Sequence, residues 1–429
     1  MLHRRIKIAI TSALAVFLAI CGVVPIEAAT APENVSSPHI CVYNAEYSKV
    51  VYERGADDKV APGPTAKTMT AILALEYFAG NRDAVVTVSP SALKGIYGSA
   101  VIGLKAGETI RATDLIYAVL IGGYSDAANA LACAVAGSQS AFAVKMNKRA
   151  KELGATSTMY QNPTGLDEKG AYTTARDTAI IASYAVTLPG FAEICSTTSY
   201  TIPASDVSEE RKIYTRNMLI SNSGDNPYHY ADARGVCAGF TDEAGYCATS
   251  TVISGFSYSC AVMGAEKSGD IIQSYKDVKV LLSWAKNNFE AKKIIDTSSV
   301  IAEIPVTLSA ERNFVTVVPQ NAIYAFMDKD ADLTRIEYEY TLCAESLEAP
   351  VRKGTVAGTL TLSLDGEVLG SCELVTKLDA ERSAWIALKT AIAGSSGIFW
   401  IAVLCLVIFC TAVAIVRFLL ICKKAKKRK

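Results

Sequence analysis

Apolar and polar residues alternate with a period of two along ICVYNAEYSKVVYERGADDKV, residues 40–60, which predicts two strands joined near Asn44–Tyr47. The period then lengthens to that of a helix over 65–79, 113–120, 126–136, 139–153 and 174–187. Alternation returns at 234–264, where RGVCAGFTDEAGYCATSTVI predicts a hairpin turning around Asp242–Gly245. A helical stretch over 270–290 follows. Strands, a helical middle and returning strands together predict an α/β (α+β) domain whose sheet is completed late in the chain. From about residue 298 the pattern is alternation throughout: VTVVPQNAIYAFM, LTRIEYEYTLC and GTVAGTLTLSLDGEVLGSCELV, broken by Asp-Gly and Gly turns. These strands predict a small all-β domain over 298–380.

Both ends leave this amphipathic pattern. Residues 1–29 join a basic start (His3, Arg4, Arg5, Lys7) to an apolar run and small residues at Ala28 and Ala29, which predicts a secretory signal peptide. Near the other end, Ile398 to Val416 carries no charge, and Phe418 to Cys422 prolongs the run past Arg417. That length matches a bilayer core of about 30 Å. Basic KKAKKRK follows, as it does on cytoplasmic flanks. The expected organisation is therefore signal peptide 1–29, α/β domain 30–292, β domain 298–380, juxtamembrane segment 381–397, transmembrane helix 398–422 and cytoplasmic tail 423–429. The bulk of the chain would lie outside the cell membrane on a single-pass anchor.

The 42 basic residues balance the 42 acidic ones, so no basic face invites nucleic acid. The chain has three histidines and no CxxC or HExxH, which leaves no support for a metal site, another cofactor or a Ser-His-Asp triad. Eight of the 12 cysteines fall in the exported part, at wide and irregular spacing unlike a disulfide scaffold.

Four stretches carry more specific information: APGPTAKTMTAILALE, IGLKAGETIRATDLIYAVLIGGYSDAANALACAVAGS, MNKRAKELGATSTMYQNPTGLDEKGAYTTARDTAIIASYA and GVCAGFTDEAGYC. Together they resemble the low-molecular-weight penicillin-binding proteins, the serine D-alanyl-D-alanine carboxypeptidases of bacterial cell walls. The segment GTVAGTLTLSLDGEVLG resembles the C-terminal domain of that family. The resemblance implies a serine β-lactamase/D,D-peptidase-like fold followed by an all-β domain. It implies peptidoglycan stem peptides as ligand; no protein partner is legible.

The family's three active-site boxes are S-x-x-K, S-x-N and K-T-G. Here they read Pro64-Thr65-Ala66-Lys67, Gly123-Tyr124-Ser125 and Cys237-Ala238-Gly239. Only Lys67 and Gly239 keep their expected identities. Proline has neither a hydroxyl nor a backbone N–H, so Pro64 would remove the nucleophile and one oxyanion-hole donor together. It also suits the first turn of a helix. Lys67 reads as the retained general-base position or as a solvated first-turn lysine. Gly123 lacks a proton-shuttling hydroxyl. Ser125 stands in the asparagine position and is expected to cap the helix DAANALACAVAG. Cys237 and Ala238 lack the charge and hydroxyl that would hold a terminal carboxylate; Cys237 is open to three readings: an inert thiol, a disulfide with Cys247, or a nucleophile. Thr65 is a poor replacement for the lost serine, because one helix position turns a side chain by about 100°; Thr68 and Thr70 face the same objection or lie deeper in the helix. The expectation is a scaffold that has lost carboxypeptidase catalysis and keeps a role in binding stem peptides or partner proteins in wall assembly, against an alternative of an active carboxypeptidase with a rearranged centre.

Overall fold

The computed structural model describes residues 32–394 and 397–426. The expected signal peptide and the last residues of the basic tail lie outside them. The chain forms two compact units, one ending at Phe289 and the other beginning at Glu290.

In the first unit, β1 (His39–Asn44) and β2 (Lys49–Arg54) form the expected hairpin. The late strands β3 (Ala233–Thr241), β4 (Gly245–Ser254) and β5 (Phe256–Ala265) complete an antiparallel sheet in the order β2-β1-β5-β4-β3. The first strand thus pairs with the last: Ile40 lies opposite Val262. β3 is an edge strand, and a bulge between Gly235 and Cys237 turns Val236 into the core. The bulge re-aims the residues that follow it, a common device beside functional sites.

Between the hairpin and β3 come α1 (Ala66–Tyr77), α2 (Ala112–Tyr117), α3 (Ser125–Ala136), α4 (Gln139–Glu152) and α5 (Ala175–Ala185). Met69, Ile72, Leu115, Leu131, Phe142 and Met146 are fully buried between them. α5 packs its Ala175 and Ala179 on the sheet face that carries Cys41 and Ala261. α6 (Gln273–Asn288) packs against β4 and β5. Two short hairpins, Val85–Thr87 with Thr109–Arg111 and Ser199–Ile202 with Arg211–Tyr214, were not foreseen; segments of three or four residues are too short to show a period.

The second unit begins earlier than its sequence pattern suggests. β6 (Phe289–Ile295) pairs with β9 (Ile323–Asp328). The larger sheet contains β7 (Ala302–Thr307), β8 (Phe314–Pro319), β10 (Ile336–Leu342), β11 (Leu347–Glu348), β12 (Val356–Leu364) and β13 (Glu367–Thr376). Their order is β10-β12-β13-β8-β7-β11, and Ile304, Val315, Leu360 and Leu374 fill the core. α7 (Ala384–Gly394) and α8 (Ile398–Lys426) follow. Within α8, Trp400–Ile421 is 22 residues long, and is long and apolar enough to cross a membrane.

Candidate functional site

Pro62-Gly63-Pro64 opens α1 through a single 3-10 turn over Gly63–Thr65. Two features make this turn possible. Gly63 has φ +50°, a left-handed value that glycine adopts without strain. Pro64 stands where an N–H has no helical partner to lose. The turn is buried on both sides. A Cβ on Gly239 of β3 would approach the Pro64 ring to 2.9 Å, so glycine there lets strand and ring touch. A Cβ on Gly165 would lie 1.7 Å from the Gly63 carbonyl oxygen.

Lys67 lies one turn further along α1 and is 7% exposed. Its ammonium donates a 2.6 Å hydrogen bond to the Thr164 carbonyl. That carbonyl is presented by a turn in which Asn162 Oδ1 accepts from the N–H groups of Thr164 and Gly165 and from the Thr164 hydroxyl. Asp167, two residues past Gly165, holds the β3–β4 turn by accepting from the Thr241 hydroxyl and the Glu243 N–H. Burial lowers the Lys67 pKa from 10.5 to about 8; nearby Arg216 pushes the same way and Cys237 opposes. Lys67 is therefore still protonated at neutral pH, with no carboxylate beside it among the described residues.

The Cys237 thiol donates to the Pro64 carbonyl at 2.9 Å. Burial raises its pKa to about 11, although Lys67 partly offsets this. Since Lys67 loses its proton before Cys237, the two do not form a thiolate–ammonium pair at neutral pH. The described cysteines are all free thiols apart from Cys422, whose side chain is not described. Strand register sets Cys237 opposite Thr249 and Cys247 opposite Gly239, so the two cysteines are not paired across the hairpin. Alkylation should therefore be slow at Cys237. At pH 7.5, iodoacetamide followed by peptide mapping is expected to modify exposed Cys343 at least tenfold faster than Cys237. Faster reaction at Cys237 would mean a stabilised thiolate.

Of the hydroxyls near Pro64, those of Thr65 and Thr70 are committed to backbone carbonyls. The Thr65 hydroxyl donates back to the Pro62 carbonyl at 2.6 Å. Thr68 is buried beside the Cys237 thiol, which its hydroxyl faces. Thr70 donates to the Pro163 carbonyl.

The second-box segment follows a π turn over Ala118–Gly122, and Gly123 closes it with φ +65°. Glycine at 123 thus satisfies the backbone as well as lacking a hydroxyl. Ser125 is not the cap of α3: Tyr124 occupies the cap position with no side-chain capping bond, and Ser125 is the first helical residue, its N–H bonded to the Ala100 carbonyl. The charge near this helix start comes from Asp126, whose carboxylate accepts from the N–H groups of Ile102, Gly103, Leu104 and Ala127. An acidic side chain suits this end of the helix dipole.

Arg216 was not singled out by motif reading. It sits in irregular backbone, with its N–H on the Ile121 carbonyl and its guanidinium 6.0 Å from the Tyr124 ring centroid. It pairs with no carboxylate among the described residues. The arrangement thus offers two cations, Lys67 and Arg216, near a proline that carries no hydroxyl.

A family model described as D-alanyl-D-alanine carboxypeptidase matches residues 26–267, and one described as penicillin-binding protein 5, C-terminal domain, matches residues 289–382. The D-alanyl-D-alanine carboxypeptidase DacF of Bacillus subtilis (strain 168) is 28% identical over 339 residues, covering 79% of this chain and 84% of that protein. The crystal structure of the D-alanyl-D-alanine carboxypeptidase DacD from Francisella tularensis superposes with a TM-score of 0.62 at 22% identity, covering 86% of this chain and 98% of that one. Penicillin binding protein 5 from Haemophilus influenzae superposes with a TM-score of 0.60 at 24% identity, covering 82% and 100%. The expected fold, a D,D-peptidase-like domain followed in sequence by a small all-β domain, is borne out.

Proposed function

The chain belongs to the D-alanyl-D-alanine carboxypeptidase family of cell-wall metabolism, and from that premise we propose that it binds peptidoglycan stem peptides without hydrolysing them. The observation that carries this reading is Pro64, buried at the nucleophile position between Gly239 and the Cys237 thiol. No hydroxyl can form there, and the thiol that replaces the third-box cation is protonated and committed to a carbonyl. Arg216 and Lys67 remain as cations. Arg216 replaces the lost charge at Cys237 as the partner of an anionic peptide end, since charge-assisted bonds are the stronger ones. Gly123, Ser125, Ala238 and Gly239 form the walls of this binding site rather than a proton relay. The protein is exported by its signal peptide and anchored by the single helix Trp400–Ile421, with its basic tail on the cytoplasmic side.

Calorimetry of the full chain with a soluble peptide ending in D-alanyl-D-alanine tests this reading. Binding in the parent protein, weakened about tenfold (about 1.4 kcal/mol) in Arg216→Ala, with no D-alanine released, is the expected result. Released D-alanine would favour the rearranged but active centre, for which the retained Lys67 with its lowered pKa is the one supporting observation. Absence of binding would remove the peptide-binding role.

A further inference from the structure

A second candidate site lies on α6, and none of its walls belongs to the Pro64–Lys67–Cys237 cluster. One face of this helix is committed to the interior through Tyr275, Val278, Leu281, Leu282 and Ala285. Its outer face is not uniformly polar. Lys276, Lys279, Val280 and Trp284 follow one another at helical spacing and, with Pro227 and Tyr228 from a neighbouring loop, line a cavity of about 610 Å³. That volume is in the range of small-molecule sites, typically about 300–1,000 Å³.

The walls are held in place. The Trp284 ring meets Tyr52 at 5.9 Å and Phe289 at 5.2 Å, both edge-on. The Tyr228 hydroxyl donates to the Asp270 carbonyl at 3.1 Å and accepts from the Ile272 N–H at 2.7 Å, which fixes the ring. The polar groups have one sign of charge. The lining includes two lysines and, among the described residues, no carboxylate. Lys279 donates to the Pro227 carbonyl at 2.9 Å and keeps further N–H donors. Lys276 pairs with no carboxylate among the described residues. An apolar, aromatic floor beside two adjacent ammonium groups is complementary to a molecule with one anionic head and an apolar body.

We propose that this cavity binds an anionic amphiphile, its head on Lys276 and Lys279 and its chain against Val280, Trp284 and Tyr228. A free alkyl phosphate and an anionic membrane lipid share that chemistry.

The test uses the full chain in nanodiscs of phosphatidylcholine, a photoreactive dodecyl phosphate as probe, and peptide mapping of the adducts. The expected result is labelling within residues 227–287, reduced at least tenfold in Lys276→Glu/Lys279→Glu and in Val280→Glu, and absent with an uncharged dodecyl probe. Both lysines reach the surface, so the double variant should melt like the parent, which is checked by thermal unfolding. Adding phosphatidylglycerol to the nanodiscs separates the two sources. Competition with the probe assigns the site to bilayer lipid, and unchanged labelling assigns it to free amphiphiles. Labelling elsewhere, or labelling that survives the charge reversal, would overturn the proposal.

Discussion

Incubated with benzylpenicillin, the full chain is expected to show no covalent adduct by intact mass. A serine penicillin-binding protein is acylated on its hydroxyl, and on the proposed reading that position here is the buried Pro64. Removing the nucleophile from such a machine costs about 10⁶-fold in rate, and loss of one oxyanion-hole donor about 10²–10³-fold, though effects within one constellation do not multiply freely. Proline removes both groups. The thiol at Cys237 does not replace them, because at neutral pH it is a neutral donor bonded to the Pro64 carbonyl. A thermal melt run in parallel shows that the protein tested is folded. One penicillin per chain, stable to denaturation, would sink the non-catalytic reading, and mapping would then identify Thr65, Thr68, Ser125 or Cys237 as the acylated residue.

Replacing Lys67 by methionine should change how stability depends on pH. The Lys67 pKa falls from 10.5 to about 8 on folding, chiefly through burial. Between those values the unfolded chain binds more protons than the folded one, so stability rises with pH across the window from about 8 to 10.5. Below about pH 8 the penalty is fully present and amounts to about 3 kcal/mol. Lys67→Met abolishes that rise. At pH 7 the variant gains by losing a buried charge and loses by leaving the Thr164 carbonyl unpaired, an offset of about 1–2 kcal/mol. A net gain of about 1–2 kcal/mol remains. Denaturation of the α/β unit at pH 7, 8, 9 and 10 measures both effects as differences between parent and variant. Buried tyrosines such as Tyr160 and Tyr258, whose pKa values burial raises, titrate alike in the two proteins and cancel. Parallel curves would mean that Lys67 is not buried as a cation.

The value of Lys67 illustrates what position in sequence leaves open. From the chain alone, a solvated first-turn lysine stays open for Lys67, because the period of α1 does not say which elements will cover its first turn. The Asn162 turn, 95 residues later, covers it and supplies the carbonyl that its ammonium needs. Cys237 is similar. Three readings of the thiol were open until strand register set it diagonal to Cys247 and within 2.9 Å of the Pro64 carbonyl. At Ser125 the difference between expectation and structure is local. Serine is a good cap, but the helix begins one residue earlier than its apolar pattern, and Asp126 supplies the charge near that end.

The sequence by itself determined the main strands and helices, the identities Pro64, Ser125 and Cys237 that we propose stand at the three box positions, and the apolar run near the C-terminus. These follow from residue identity and short-range period, which are local properties. Only the tertiary structure decided that Gly239 packs on the Pro64 ring and Gly165 on the Gly63 carbonyl, that Lys67 is buried against a distant carbonyl, and that Arg216 supplies a second cation. Pocket electrostatics depend on which groups approach through space and on the water they displace, and neither is encoded in a residue's immediate neighbours.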